Sequence, residues 1–209
     1  MARPFDLSLY LVTDPVLCGG RGVVETVKAA VEGGVTIVQL RDPDAKGGRQ
    51  VETARALLAI LRPRGIPLII NDRVDVALAV DADGVHVGQS DISPTLVRRM
   101  IGPDRILGLS VSRAEELAAP DIGAVNYLGV GPIFATATKP NAAAPIGFDG
   151  LARLVAAAPV PVVAIGGVKA EHIEPVRAAG AAGIAVVSAI MAAEDPALAA
   201  REMADRLRA

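Results

Sequence analysis

Apolar residues occur in short, nearly continuous runs that recur along the whole chain. Such runs are typical of parallel strands covered on both faces, because neither face then meets water. The segments between the runs carry apolar residues at helical spacing, as in VVETVKAAVEGG and GRQVETARALLAIL. The pattern predicts eight strands, within residues 8–14, 35–41, 67–72, 84–88, 106–111, 125–132, 161–167 and 183–189.

Eight strands that alternate with helices predict an α/β fold, a single (β/α)₈ TIM barrel. An open, doubly wound sheet is the alternative that the same alternation allows. The length of 209 residues suits one barrel and is short for two independent domains. We therefore expect one domain over residues 1–209, with the long irregular stretch 133–147 as an active-site loop.

Two helix boundaries can be predicted from local signals. Ser93 followed by Pro94 predicts a helix start, since serine caps the first backbone N–H groups and proline suits the first turn. Gly33 and Gly34 predict the end of the first helix, because glycine commonly follows the last helical turn.

Composition and charge narrow the classes of partner. The chain is 52% hydrophobic, enough to bury a large core, and its 21 Lys and Arg nearly balance its 23 Asp and Glu. Because the charges balance and only 2% of residues are aromatic, we expect binding of neither nucleic acid nor a membrane surface. We expect small-molecule substrates, and the sequence leaves open whether copies of the chain form a homo-oligomer.

Nothing in the sequence predicts export or membrane insertion. The run MARPFDLSLYLVTD lacks the cationic and long apolar regions of a signal peptide. The longest charge-free apolar stretch, residues 178–193, is shorter than the roughly 20 residues that a membrane span needs. The one cysteine, Cys18, cannot form an internal disulfide and fits a reducing compartment. We therefore expect a cytoplasmic protein in which Cys18 is an incidental thiol.

Polar side chains collect where the predicted strands end. In a barrel these ends converge on one mouth, which is where the active site is built. An Asp after a strand can instead be the cap of the next helix, but caps do not need Gln, Arg or Lys. The set as a whole therefore favours a binding site. Its members are Asp14, Gln39, Arg41, Asn71, Asp72, Gln89, Asp91, Ser110, Thr136, Thr138 and Lys139.

The predicted seventh and eighth strands end in turns that suit a phosphate group. Gly166 and Gly167 follow the seventh strand, and Ser188 follows the eighth. In barrels of this kind the loops after these strands bind phosphate through backbone N–H groups, which glycine lets an anion approach closely. The alternative is that the two glycines only make a tight turn.

The inventory of reactive side chains excludes several classes of enzyme. His172 lies in a helical segment and is expected at the surface, and His86 lies within a strand, where a structural role is expected. No catalytic triad, zinc-binding HExxH motif or cysteine pair can be assembled. Two carboxylates flanked by Arg and Lys suit Mg²⁺ bridging a diphosphate, because this ion takes most of its oxygen ligands from water and substrate.

The runs LYLVTD, GGVTIVQLR, LIINDRVDVALAVDADGVHVGQSD, ILGLS, YLGVGPIFATATK, VAIGGV and GIAVVSAI resemble thiamine-phosphate synthases in order and spacing. The resemblance implies a TIM-barrel transferase that joins a hydroxymethylpyrimidine diphosphate to a thiazole phosphate. The products would be thiamine monophosphate and diphosphate. In such enzymes the diphosphate is thought to leave first, so the thiazole nitrogen attacks a pyrimidine carbocation and no protein nucleophile is needed.

The resemblance also implies a role for each site residue. The pyrimidine diphosphate would be held by Gln39, Arg41 and Asn71, and Mg²⁺ by Asp72 and Asp91. The catalytic contacts to the pyrimidine and its diphosphate would come from Ser110 and Lys139. The thiazole phosphate would be bound by Thr136, Thr138, Gly167, Val187 and Ser188.

One position departs from the family pattern. The family has Lys two residues after the strand-two arginine, whereas this chain has Pro43 in the run QLRDP. We hypothesise that Lys46 supplies the missing cation, because neighbouring glycines would let the loop bend inward. The alternative is a solvated surface lysine.

Three other functions remain open from the sequence. A thiazole tautomerase of the same fold would lose the metal carboxylates and carry His after the strand-six glycine, where this chain has Pro132. A non-catalytic barrel that senses thiamine precursors is favoured only by Pro43. A sugar-phosphate epimerase or aldolase would need an acid/base pair or a lysine on a strand, and no predicted strand carries lysine.

Overall fold

The computed structural model describes residues 4–118, 120–136, 138 and 143–209, and its strands form a closed barrel. Each strand pairs in parallel with the next, and β1 pairs with β8, which closes the ring. The closure confirms the predicted barrel and makes the open-sheet alternative wrong. The strands are β1 (Leu9–Val12), β2 (Ile37–Leu40), β3 (Leu68–Asn71), β4 (Gly84–Val87), β5 (Ile106–Val111), β6 (Tyr127–Val130), β7 (Val162–Ile165) and β8 (Gly183–Val186).

Helices follow the strands on the outside of the barrel. They are α1 (Val23–Glu32), α2 (Gly47–Leu61), α3 (Val74–Val80), α4 (Pro94–Ile101), α5 (Ala114–Leu117), α6 (Gly147–Ala157), α7 (Ile173–Ala178), α8 (Ser188–Met191) and α9 (Pro196–Arg208). Short 3₁₀ turns lie at Gly19–Arg21, Arg62–Arg64, Pro120–Ala124 and Ala170–His172. Among the described residues, no helix is long and apolar enough to cross a membrane.

Side chains alternate between two apolar cores. In β1, Leu9 and Leu11 point outward into the core between barrel and helices, whereas Tyr10 and Val12 point into the barrel. This alternation follows from the two-residue period of a strand, so a run that is apolar throughout serves both cores. The inward cluster consists of Leu7, Tyr10, Val12, Ile37, Ile69, Ile106, Tyr127, Val163 and Ala185.

The two predicted helix boundaries are present. The Ser93 hydroxyl caps α4 by accepting from the Leu96 N–H, and Pro94 occupies the first turn. Gly33 ends α1, and Gly34 follows with a φ of 110°. A Cβ at Gly33 would lie 2.3 Å from the carbonyl oxygen of Ala197, so glycine here also lets α9 pack closely on α1.

The loop between β2 and α2 differs from our expectation. Gly47 and Gly48 begin α2, and Lys46 is its exposed N-cap, so the glycines do not bend the loop inward. The buried side chain of Gln50 instead holds the loop by donating to the carbonyl oxygens of Asp42 and Ala45, at 2.8 and 3.2 Å. The physical basis for the Lys46 hypothesis was therefore wrong.

Candidate active site

The predicted site residues lie at, or just after, the carboxyl ends of strands that are neighbours in the barrel. Register pairs Gln39 on β2 with Ile69 on β3, and Asn71 on β3 with His86 on β4. The ends of β1 and β2 are also joined by a side chain. The Thr13 hydroxyl accepts from the Arg41 N–H at 3.0 Å and lies 3.2 Å from the Arg41 carbonyl oxygen, to which it donates. The strand ends thus form one continuous rim.

Arg41 places a cation on this rim. It is half-buried, and no carboxylate in the described part of the chain pairs with its guanidinium group. A partly desolvated guanidinium with its donors unused is a receptor for a phosphate or a carboxylate. Four other arginines make no ion pair or side-chain hydrogen bond with a described residue, but they are exposed on helices: Arg55, Arg99, Arg153 and Arg201.

The two predicted metal ligands lie after adjacent strands, and each is anchored by a neighbour. Asp72 accepts from Asn71 Nδ2 at 2.6 Å, and its own N–H donates to the carbonyl oxygen of His86 at 2.8 Å. Asp91 Oδ2 accepts from the Gly88 N–H at 2.7 Å. Neither residue is a helix N-cap, because Arg73 occupies the N-cap position of α3 and Ser93 that of α4. The capping alternative is therefore wrong for both.

Asp72 also adopts an unusual backbone conformation. Its φ of 57° lies in the left-handed region, which Asp and Asn tolerate better than other non-glycine residues. Asp81 has a similar φ of 54° at the C-cap of α3, so the conformation alone is not evidence for a site. At Asp72 it turns the chain directly from β3 into α3 and leaves the carboxylate exposed at the rim.

This donor set fits a magnesium ion that is shared with a substrate. Asp72 and Asp91 are exposed carboxylates on neighbouring strand ends, and hard oxygen donors are what Mg²⁺ prefers. No group of three or more His, Cys, Asp or Glu side chains suited to a metal occurs among the described residues. A metal held here would therefore need oxygen atoms from water and from a phosphorylated ligand.

Ser110 and Gln39 are joined beneath the rim by buried polar side chains. Ser110 Oγ lies 2.9 Å from His86 Nε2, and His86 Nδ1 lies 2.8 Å from the hydroxyl of Tyr127. The Tyr127 hydroxyl lies 2.7 Å from that of Tyr10, which accepts from Gln39 Nε2 at 2.9 Å. Desolvation by burial raises the pKa of both tyrosines, that of Tyr127 well above its usual range.

Sequence reasoning missed the two tyrosines and gave His86 only a structural role. His86 is buried and hydrogen-bonded, as expected, but one of its partners is the predicted catalytic residue Ser110. A signal was present, because the only two tyrosines of an aromatic-poor chain lie in strand runs. His172 was also misplaced: it is half-buried, and its ring centroid lies 4.3 Å from that of Phe134.

The described ends of the 133–147 loop are closed by backbone hydrogen bonds. The N–H groups of Ile146 and Gly147 donate to the carbonyl oxygens of Pro132 and Ile133, at 2.9 and 3.0 Å. Thr136 and Thr138 lie together, with their hydroxyl oxygens 3.3 Å apart. Lys139 lies outside the described residues.

The glycine turn after β7 packs tightly against the start of this loop. Gly166 and Gly167 have φ values of 92° and 67°, and a Cβ on either would lie within 3 Å of Pro132 or Phe134. Both glycines are therefore required by conformation and packing, whether or not an anion binds nearby. On the neighbouring strand end, Val187 is half-buried and Ser188 is exposed at the start of α8.

Two hollows lie at the opposite end of the barrel, where the strands begin. Arg98 lines one of them, and its guanidinium group makes four hydrogen bonds within the protein. It donates to three backbone carbonyl oxygens and, at 2.7 Å, to Asn126 Oδ1. At this end Arg98 therefore has a structural role, and the predicted site residues lie at the opposite end, the mouth of the barrel.

Comparison with known proteins identifies the family. Residues 9–190 match the family model described as thiamine monophosphate synthase. The thiamine-phosphate synthase of Azorhizobium caulinodans is 59% identical over 97% of this chain and 96% of its own length. That of Xanthobacter autotrophicus is 58% identical over the same shares. The solved structure of thiamine phosphate pyrophosphorylase from Pyrococcus furiosus has a TM-score of 0.87 and 38% identity, covering 97% of this chain and 96% of that one. The chain therefore belongs to the thiamine monophosphate synthase family.

Proposed function

We propose that this chain condenses a hydroxymethylpyrimidine diphosphate with a thiazole phosphate, giving thiamine monophosphate and diphosphate. The observation that carries the proposal is the half-buried Arg41 guanidinium, for which the described residues supply no counter-ion, on the same rim as the anchored carboxylates Asp72 and Asp91. A cation and two carboxylates on one rim suit a metal-bound diphosphate. The two bacterial relatives described above are both named thiamine-phosphate synthase.

Arg41 would bind the diphosphate of the pyrimidine substrate, with Asn71 beside it. Asn71 already donates to Asp72, so it would also orient that carboxylate. Asp72 and Asp91 would hold Mg²⁺, which when bound would neutralise charge on the leaving diphosphate. Gln39 and Ser110 would contact the pyrimidine, since both reach the barrel interior just below the rim.

The thiazole phosphate would lie between the loop after β6 and the ends of β7 and β8. Thr136 and Thr138 are adjacent hydroxyl donors on that loop. Backbone N–H groups at Gly167 and Val187, with Ser188, would complete the phosphate site. Lys139 is proposed as a further diphosphate contact from the sequence alone.

The chain's own residues would bind, orient and stabilise charge rather than attack the substrate. The serine at the site, Ser110, is hydrogen-bonded to His86, whose other ring nitrogen lies 2.8 Å from the Tyr127 hydroxyl. Positioning two substrates and stabilising a leaving diphosphate are sufficient where the thiazole nitrogen is the nucleophile. We also propose that residues 1–209 form one barrel domain in the cytoplasm, where the buried Cys18 stays reduced.

The direct test mixes both substrates with Mg²⁺ and the purified chain and assays thiamine monophosphate by chromatography. We expect product that depends on both substrates and on the metal. Conversion of the thiazole alone would indicate a tautomerase, and binding of both substrates without turnover would indicate a sensor. Either result would overturn the proposal.

A further inference from the structure

A chain of four hydrogen bonds crosses the interior of the barrel from β2 to β5. It runs from Gln39 to Tyr10, from Tyr10 to Tyr127, from Tyr127 to His86 and from His86 to Ser110, with distances between 2.7 and 2.9 Å. Four of its five members are buried, and Ser110 is partly buried at the mouth. Both ends of this chain are residues that the proposed function assigns to the pyrimidine substrate.

This chain of hydrogen bonds runs in one direction from donor to acceptor, and the direction is set at Gln39. The amide nitrogen Nε2 faces the Tyr10 hydroxyl and can only donate to it. With Gln39 as a donor, the arrangement that uses every hydroxyl proton has Tyr10 donating to Tyr127 and Tyr127 donating to His86 Nδ1. A neutral histidine that accepts at Nδ1 carries its proton on Nε2, so His86 donates to Ser110 Oγ. The proton of Ser110 is then directed away from the chain.

We propose that Tyr10, Tyr127 and His86 are positioning residues that fix Ser110 as a hydrogen-bond donor toward the substrate. The same polarity commits the amide nitrogen of Gln39 to Tyr10 and leaves its carbonyl oxygen as the acceptor. A donor and an acceptor held in fixed roles suit the edge of an amino-substituted ring, which offers a ring nitrogen and an amine. This inference rests on the proposed function for its substrate but not for the polarity itself.

Two strand glycines make room for this chain. A Cβ at Gly108 on β5 would lie 2.2 Å from Tyr127 Cζ and 2.4 Å from His86 Nδ1, where those two side chains meet. A Cβ at Gly129 on β6 would lie 3.2 Å from His86 Cε1. Glycine weakens a strand interior, and at these two positions it lets side chains approach the backbone closely.

The tyrosines remain proton donors in the folded protein. Burial raises the pKa of both phenols above their usual range, so neither loses its proton near neutral pH. No buried side-chain nitrogen or oxygen among the described residues lacks a hydrogen-bond partner, so the chain is saturated. If one side chain of this hydrogen-bonded set reverses its donor and acceptor roles, its neighbour must reverse too, because each hydroxyl has only one proton to donate.

A tautomer measurement tests the polarity without any substrate. The protein has two histidines, so ¹⁵N spectra of the labelled protein identify the His86 nitrogens once the His172 signals are assigned with His172→Gln. We expect the proton on Nε2 in the unmodified protein and a loss of this preference in Tyr127→Phe. A proton on Nδ1 in the unmodified protein, or an unchanged tautomer in Tyr127→Phe, would overturn the proposal.

A double-mutant cycle tests whether the chain acts through Ser110. Tyr127→Phe should lower kcat/KM for the pyrimidine diphosphate about tenfold or more, the loss of one well-made hydrogen bond to substrate. In the Ser110→Ala background it should lower kcat/KM less than about twofold, because the donor it orients is already gone. Val163→Ala, a buried barrel position outside the chain, serves as the control, and we expect its effects to add to those of Ser110→Ala.

The possible failures are distinct. Equal losses from Tyr127→Phe in both backgrounds would indicate a purely structural role and refute the positioning chain. Absence of thiamine monophosphate synthesis by the unmodified protein would instead refute the proposed function, and the tautomer measurement would still decide the polarity. Gly108→Ala provides a second variant, since its methyl group would separate Tyr127 from His86 without removing a polar atom.

Discussion

Replacing Asp72 and Asp91 by asparagine separates a metal-binding role from a structural one. Asn shares the tolerance of Asp for the left-handed region, so Asp72→Asn adds little strain at a φ of 57°. Asp91→Asn keeps an oxygen that can accept from the Gly88 N–H, now 2.7 Å from Oδ2, and loses only its charge assistance. We expect each change to lower the free energy of unfolding by about 1 kcal/mol or less.

The expected effect on activity is much larger. One charge-assisted contact is worth about 1.5–3 kcal/mol, so each variant should lose between about tenfold and 150-fold in kcat/KM at a fixed Mg²⁺ concentration. The Mg²⁺ concentration for half-maximal rate should rise in both variants, because a neutral amide is a weaker ligand. The assay follows thiamine monophosphate formation over a Mg²⁺ titration, with urea unfolding measured in parallel.

A matched control uses an aspartate whose role in the structure is capping. Asp195 accepts from the Leu198 N–H at 3.0 Å at the start of α9, and Asn caps about as well as Asp. Asp195→Asn should therefore leave both stability and activity nearly unchanged. Full activity of the unmodified protein in excess EDTA, or Asp72→Asn and Asp91→Asn variants with ordinary Mg²⁺ dependence, would refute the metal assignment.

Four further outcomes are expected. Replacing Thr136 and Thr138 together by valine should raise KM for the thiazole phosphate more than for the pyrimidine diphosphate, and equal effects would contradict the proposed division. Lys46→Ala should change kcat/KM by less than about twofold, since Lys46 is an exposed helix N-cap, and a tenfold loss would restore the compensation hypothesis. Arg98→Leu should lower the free energy of unfolding by about 3 kcal/mol, because four hydrogen bonds from its guanidinium group are lost, while kcat/KM stays unchanged. Cys18 should react slowly with a disulfide reagent until the protein unfolds, because the thiol is buried and burial raises its pKa.

The barrel could be predicted from sequence because its strands are buried on both faces. The predicted runs nevertheless extend beyond the observed strands, as at 125–132 around β6 (Tyr127–Val130). Val125 and Ile133 are buried although they lie outside the strand, so apolar character continues past the last ladder hydrogen bond. Hydrophobic pattern reports burial, and burial does not end where the strand ends.

The rim of the site could be predicted because the topology itself brings strand ends together. The chain from Gln39 to Ser110 could not, since it depends on which residues of each strand point inward. His86 and Tyr127 meet across β5 only because Gly108 between them has no side chain. The mistaken bending of the loop at Lys46 has a similar origin, because glycine permits many conformations and does not specify which one is adopted.

Closure of the barrel between β1 and β8 has a consequence for synthesis of the chain. The strands that complete the ring are the first and the eighth, so β1 lacks its second neighbour until the six strands between them have been translated. An unpaired apolar strand edge is a template for association with other chains. The helix that packs on α1 near Gly33, α9, also follows β8 in the sequence. The nascent barrel therefore carries an open edge until β8 is made, and the helix that covers α1 is made after that closing strand.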